Sequence, residues 1–472
     1  MRELIMMFSS IPFLYYFLPA VLFAYFAIPW IVRKITGAES SPANLISLRN
    51  AILLTASVIF YAWGGAIFLL LIFGLTVNSW LWGLLIDWFH NKDNPKSAKV
   101  ALIISIVTGL SGLAYFKYTD FFLTQINWLT PLDIPLTGVI VPIGISFYTF
   151  QILSYNIDLY RRDVAVQKSV FRLATYITLF PQLVAGPIVR YSDIEPALHE
   201  RKVTFENFSS GLSRFTVGLG KKVIIGNTLG EMLHVVESSG EKSVLSFLLL
   251  TAGFALQIYF DFSGYSDMAI GLGRVFGFKI IENFNYPYIS KSVTEFWRRW
   301  HISLGLWLRD YVYIPLGGNR KRQWLNILVV WTLIGFLQGA AWNFILWGLY
   351  FVVVLLIEKN ILRKYLRFDD WHKIARHIYT LTLILCSFML FRSNNIFESE
   401  SLYGQFSLYY LQSYAVLLLI CVIGATKLPK RAFNRFLKPF PLAEPMLVAL
   451  CLIISTAFLV DGTFNPFIYF RF

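Results

Sequence analysis

The sequence predicts an all-α polytopic membrane protein of about eleven or twelve transmembrane helices, with re-entrant and interfacial helices between them. Three observations carry this. Hydrophobic residues make up 57% of the 472 residues and charged residues only 14%, against about 25% charged in an ordinary globular chain. Aromatic residues alone reach 17%. The apolar residues also fall in runs, about a dozen of them, and a span needs about 20 mostly apolar residues. A soluble fold could not hide so much apolar surface, so lipid is a partner for much of it. A soluble enzyme, a disordered chain and a secreted disulfide scaffold are excluded.

The candidate spans, in order, are 12–32, 50–63, 66–86, 100–118, 138–158, 208–228, 244–262, 324–337, 340–357, 376–392, 404–425 and 444–460. The first is followed by Arg33 and Lys34 and lacks a small-residue cleavage site, so it reads as a retained helix. The run 208–228 is the weakest, because it carries Arg214, Lys221 and Lys222. Between 158 and 208 lies Phe171 to Ile188, with basic segments on both sides and Pro181, Gln182, Gly186 and Pro187 inside it. A helix that enters and turns back suits it better than a span, and irregular backbone at that depth must be covered by protein or water. No soluble domain stands out, and the chain 1–472 reads as a single transmembrane domain.

The charge balance is +14. The Lys and Arg collect at Arg33–Lys34, Lys92–Lys99, Arg161–Arg162, Arg201–Lys222, Arg298–Arg322, Lys359–Arg376 and Lys427–Lys438. Such clusters mark cytoplasmic loops facing anionic lipid. Segments with Asp120 and Asp133, Glu231 to Glu241, and Glu398 with Glu400 read as external. No nucleic-acid recognition motif accompanies the charge, so nucleic acid is not an expected partner. Cys386, Cys421 and Cys451 sit in apolar runs without a CxxC pair. Neither a metal site nor a disulfide framework is expected.

Three stretches could carry chemistry. In 294–311, TEFWRRWHISLGLWLRDY, the residues Phe296, Trp297, Trp300, Leu304, Trp307 and Leu308 recur at helical spacing. This predicts one amphipathic helix lying in the membrane interface, with Trp300 and its neighbours at headgroup depth. Arg298, Arg299 and Arg309 would face water or a phosphate-bearing ligand. His301 lies on the border of the apolar face, where a structural role competes with a catalytic one. The second stretch, 324–357, is an apolar hairpin with Gly335, Gly339, Ala340 and Ala341 near its middle. Such residues let helices approach closely, or leave room for a ligand. Gln338 and Asn343 are polar at depth and therefore functional candidates, unless each amide simply bonds a neighbouring helix. In the third, QIYFDFSGYSD (257–267), Asp261 and Asp267 flank the cytoplasmic end of a span. Pairing with Arg or with a helix N-terminus suits them better than catalysis. There is no GxSxG elbow, Walker loop or HExxH motif.

At these residues the chain resembles the membrane-bound O-acyltransferase family, specifically its bacterial branch acting on alginate and teichoic acid. The stretches that carry the resemblance are SYNIDLYRRD (154–163), LFPQLVAGPIVRYSD (179–193), FDFSGYSDMAIG (260–271), FNYPYISKSVTEFWRRWHISLGLWLRDYVYIPLGGNR (284–320), GAAWNFILWGLY (339–350) and NPFIYFRF (465–472). The alginate type is nearer than the D-alanyl type.

The resemblance implies a helical fold around a thin central region, in the inner cell membrane. It implies transfer of an acyl group, most simply acetyl, from a cytoplasmic thioester to a hydroxyl. Acetyl-CoA or an acyl carrier protein thioester would be the donor substrate, with no bound cofactor. A periplasmic or extracellular partner of the SGNH-hydrolase type would complete O-acetylation of a polysaccharide. D-alanyl transfer, or a non-catalytic scaffold for a partner enzyme, are the alternatives; internal repeats expected of a transporter are not visible. His301 matches the first of two family histidines. The second normally precedes GAAW, where this chain has Gln338. An imidazole can take and return a proton near neutral pH, whereas an amide has no basic lone pair there. The departure implies either a natural member that is weak or inactive, or a deliberate His→Gln substitution at this position. The donor would be held by Arg298, Arg299, Trp300 and Arg309, and the tunnel lined by Trp342, Asn343 and Asp261.

Overall fold

The computed structural model describes residues 6–36, 41–240, 243–392 and 407–462. Glu241, Glu398, Glu400 and the terminal stretch 465–472 lie outside the described residues. No β-strand occurs among the described residues. Among the described residues, eight helices are long and apolar enough to cross a membrane, and two further apolar helices are shorter. The two shorter helices, Gln323–Gln338 and Ala415–Gly424, fall on the expected runs 324–337 and 404–425.

The chain folds as two compact units, residues 1–215 with 268–281 and residues 216–267 with 282–472. In the first unit, α1 (Leu18–Thr36), α2 (Pro42–Trp63), α3 (Phe68–Asn91) and α4 (Pro95–Leu129) are long. Ser41 and Asn94 cap α2 and α4, each side-chain oxygen accepting a backbone N–H from the first turn, with Pro at the first helical position. The shorter α5 (Ile145–Arg161), α6 (Val170–Thr178), α7 (Phe180–Leu183) and α8 (Tyr191–His199) follow. The expected turning-back segment is broken helix. The chain leaves α6 at Leu179, makes the four-residue α7 and then runs without helix to Arg190. Residues 173–189 are all buried, which meets the requirement that such backbone be covered by protein. The rings of Phe13, Phe17, Phe60 and Phe180 meet in this core.

Arg201 departs from its expected place in a solvated basic loop. It is buried, donating to Tyr25 Oη at 2.9 Å, to Asn50 Oδ1 at 2.6 Å and to the Ala197 carbonyl at 3.0 Å. A cation in the interior is retained only where several acceptors replace water.

The doubtful run 208–228 is helical throughout. α9 (Phe205–Gly220) continues through a π-helical stretch, Lys221–Asn227, into α10 (Thr228–Ser238). Next, α11 (Val244–Val275) is 32 residues long and supplies residues to both units. The second unit continues with α12 (Val293–Trp297), α13 (Ile302–Leu308), α14 (Gln323–Gln338), α15 (Trp342–Ile357), α16 (Arg363–Tyr365) and α17 (Lys373–Arg392). It ends with α18 (Ser407–Ser413), α19 (Ala415–Gly424), α20 (Leu428–Ala432) and α21 (Ala443–Asp461).

α14 and α15 form the expected hairpin, and its small residues serve close approach. A Cβ on Gly348 would stand 2.4 Å from the Trp331 carbonyl oxygen, and one on Gly335 would stand 2.5 Å from that of Phe344. Larger residues at either position would force the helices apart.

Candidate functional site

The segment 294–311 is not one helix. Ser292 caps α12 by accepting the Glu295 N–H at 3.0 Å. The Glu358 carboxylate takes the N–H groups of Val293 at 2.7 Å and Thr294 at 3.1 Å. The chain then leaves helical geometry, passes through His301 at φ +46°, and re-enters helix at Ile302. A left-handed conformation is unfavourable for a residue with a Cβ and persists only where neighbours impose it. Here the neighbour is Asn283. Its carbonyl accepts the Ile302 N–H at 3.0 Å, and its Oδ1 faces the Ser303 N–H at 3.3 Å. Tertiary bonds to the first amides of α13 thus override the uninterrupted helical periodicity.

The break turns the aromatic residues inward. Trp300 is not a headgroup anchor. It is buried, its ring 5.1 Å from Phe284, 5.5 Å from Phe296 and 5.8 Å from Phe388. As a core residue it is positioned to support the segment.

His301 is buried as well. Nδ1 lies 3.1 Å from Asn283 Oδ1 and 3.4 Å from Ser303 Oγ. Ser303 Oγ donates to Asn283 Oδ1 at 2.8 Å, and Asn283 Nδ2 donates to Ser266 Oγ on α11 at 3.1 Å. The Phe262 ring meets the imidazole edge-on, with centroids 4.8 Å apart and planes at 90°. Burial pushes the imidazole pKa down to about 3, so the ring is neutral near pH 7. A neutral imidazole keeps one N–H and one lone pair, so it can donate one hydrogen bond and accept another.

Gln338 is the last residue of α14 and is half-buried. Its side-chain amide bonds no described residue. The following turn is tight: a Cβ on Gly339 would stand 2.3 Å from the Phe344 ring. Asn343 has the tying role that the sequence left open, donating to the Phe391 carbonyl on α17 at 3.0 Å. Trp342 is 56% exposed. Packing joins the His301 segment to this hairpin. Trp297, four residues before His301, places its ring 4.8 Å from Trp331 of α14 and 4.9 Å from Phe351 of α15. Trp331 precedes Gln338 by two helical turns, about 10 Å along the axis.

Of the three arginines, Arg298 is exposed. Arg299 is held by Glu295 at 2.8 Å and by the Asn285 carbonyl at 3.0 Å. Arg309 pairs with the adjacent Asp310 at 2.6 Å. Of the three, Arg298 alone is paired with no carboxylate among the described residues.

Asp261 and Asp267 are paired, as expected, but with lysines and inside α11 rather than at its end. Lys222 Nζ lies 2.8 Å from Asp261 Oδ1 and 2.7 Å from Asn227 Oδ1. Lys221 Nζ lies 2.6 Å from Asp267 Oδ2. Close backbones permit this. A Cβ on Gly264 would stand 2.7 Å from the Gly218 carbonyl oxygen. Lys222, read from sequence as part of a basic loop, is fully buried. Sequence reading also missed Asn283, Ser266 and Ser303. Their only signal was a polar residue, Asn283, in the irregular stretch before FNYPYIS.

A polytopic helical chain that buries a neutral imidazole among fixed hydrogen-bond partners has the makings of a membrane enzyme for group transfer. The sequence model of the membrane-bound O-acyltransferase family matches residues 159–401, and the chain belongs to that family. It is an O-acyltransferase and a multi-pass membrane protein. The chain is 38% identical to the protein named Probable alginate O-acetylase AlgI of Azotobacter vinelandii, over 84% of this chain and 77% of that one. It is 35% identical to the protein of the same name in Pseudomonas putida, over 99% of this chain and 100% of that one. It is also 32% identical to the Peptidoglycan O-acetyltransferase of Helicobacter pylori, over 84% of this chain and 79% of that one. A Teichoic acid D-alanyltransferase of Bacillus subtilis is 30% identical over 54% of this chain.

Proposed function

We propose that this chain acetylates hydroxyls of an extracellular polysaccharide, alginate before others, from a thioester donor on the cytoplasmic side of the inner membrane. Acetyl-CoA or an acetylated carrier protein is the donor, and an SGNH-type partner delivers the group to the polymer. The observation that carries this reading is the end-to-end likeness to the Pseudomonas putida protein, 35% identical across nearly the whole of both chains.

In the transfer, the acceptor hydroxyl attacks the thioester carbonyl. A C–O bond forms, the C–S bond breaks, and the hydroxyl proton ends on the departing thiol. His301 and position 338 lie side by side at the end of the donor tunnel in this proposal. His301 supplies the imidazole that remains at the site. Gln338 hydrogen-bonds the thioester but cannot carry the proton, because an amide lacks a basic lone pair near neutral pH. Arg298 guides the phosphate-bearing or acidic donor, since a positive face raises the encounter rate with anions.

The test is thiol release from acetyl-CoA, and from an acetylated carrier protein, by the purified chain in lipid vesicles. It is run with alginate, with peptidoglycan fragments and with neither, in the presence and absence of the partner, and repeated with the Gln338→His variant. Acceptor-dependent release supports the reading. Release from D-alanyl carrier alone, or none by either chain, overturns it.

A further inference from the structure

The geometry around His301 points to Asn283 as the residue that selects which imidazole nitrogen holds the proton; this rests on the reading of His301 as a proton-handling group. The structure assigns Asn283 the role of a positioning residue that holds His301 as the Nδ1–H tautomer, with the basic lone pair on Nε2.

The assignment follows from one donor whose identity is fixed. An asparagine side chain can be turned over without changing its shape, so its oxygen is identified by its partners. The backbone N–H of Ser303 can only donate, and it faces one atom of the Asn283 amide at 3.3 Å. That atom is therefore the oxygen. The Ser303 hydroxyl meets the same atom at 2.8 Å. The opposite atom, 3.1 Å from Ser266 Oγ, is the NH2 group, which a serine oxygen can accept. His301 Nδ1 lies 3.1 Å from the oxygen. A neutral ring meeting a pure acceptor at that distance must present N–H, so Nδ1 carries the hydrogen.

The arrangement is held from several sides. The Asn283 carbonyl takes the Ile302 N–H, so Asn283 is fastened to the residues on the far side of His301 by backbone and side chain together. Ser266 fixes the other end of the amide to α11. Phe262, also on α11 and fully buried, fixes the ring plane. The left-handed backbone at His301 brings Nδ1 onto Asn283 between the turn at Arg298–Trp300 and the first residue of α13. A second partner that fixes the tautomer of a working imidazole is a recurrent device, and its loss costs activity through the wrong tautomer rather than through binding.

The experiment uses the full chain in lipid nanodiscs with 15N-labelled histidine. His301 is one of six histidines, and its signals are assigned by their loss in a His301→Asn variant. At pH 7 the expected spectrum is a single neutral form with a protonated Nδ1 and an unprotonated Nε2. A protonated Nε2, or averaging between the two forms, overturns the inference. Asn283→Asp keeps the acceptor oxygen and is expected to keep the tautomer. Asn283→Leu removes it, and the two forms are expected to mix. In the Gln338→His background, Asn283→Leu is expected to lower kcat about tenfold to a hundredfold with donor KM within about twofold. Retention of a single Nδ1–H form in Asn283→Leu would also overturn the assignment. Should that variant fail to fold, the spectrum of the unmodified chain decides alone. The spectrum does not depend on turnover. A correct tautomer in a chain that transfers nothing sinks the acetyl-transfer reading and leaves this assignment standing.

Discussion

Lys222 and Asp261 form an ion pair of 2.8 Å in which neither side chain is more than 2% exposed. Asn227 takes a second ammonium hydrogen at 2.7 Å. Removing one member of a buried pair strands the other charge, which typically costs about 3–5 kcal/mol, whereas replacing both by apolar groups is often neutral. Lys222→Met alone and Asp261→Leu alone are expected to lower the detergent melting temperature strongly. The double variant is expected to recover much of the loss. Thermal unfolding of the four proteins checks this, and a double variant less stable than either single one would show that the charges do more than cancel each other.

Gln338→His is expected to raise kcat for acyl transfer by about a hundredfold to ten-thousandfold, the usual contribution of a positioned acid or base. Donor affinity is expected to change little, because an amide can supply the same ground-state hydrogen bonding as an imidazole. The pattern would be a kcat effect with a nearly constant KM. Initial rates over a range of acetyl-CoA concentrations separate the two parameters. Equal turnover by both proteins would remove position 338 from the proton path.

Arg298→Ala is expected to raise donor KM and flatten its dependence on salt, with kcat largely kept. Arg299→Ala is expected to act less on KM, since Arg299 is engaged by Glu295 at 2.8 Å. Its loss should instead lower stability slightly, within the range of about 0.2–1 kcal/mol for partly exposed pairs. Kinetics at low and high salt distinguish the two roles. An unchanged KM and salt slope in a stable Arg298→Ala protein would exclude donor steering by this residue.

The depressed pKa of His301 sets a pH window. The folded imidazole protonates only near pH 3, while an unfolded histidine protonates near 6.5. Between those values the unfolded state binds the proton and the folded state does not. Stability therefore falls as pH drops through that range, and the contribution is at its full favourable value above about 6.5. A His301→Asn variant should show a shallower loss of melting temperature between pH 7 and pH 4.5 than the unmodified chain. Parallel slopes would mean that His301 is not held neutral by burial.

Long helices are legible in a sequence because twenty apolar residues in lipid admit few other solutions. The runs at 12–32, 66–86 and 444–460 became α1, α3 and α21 in this way. The break at His301 was not legible. Phe296, Trp300, Leu304 and Trp307 keep helical spacing across it, and the competing bonds come from Asn283, eighteen residues earlier. Lys222 was misread for a related reason. A lysine is assigned to water until its counter-ion is known, and Asp261 is 39 positions away. His301 and Gln338 were conspicuous as polar residues in apolar surroundings. Asn283 was not, because its importance lies in five atoms it meets only after folding.

The shortness of α14 bears on how far a donor must travel. Its sixteen residues span about 24 Å, while the hydrocarbon of a typical bilayer is about 30 Å thick. A bilayer accommodates such a deficit by thinning locally around the protein. Under the proposed transfer, lipids with shorter tails would suit α14 and shorten the path between aqueous donor and reaction point, and turnover is expected to vary with bilayer thickness.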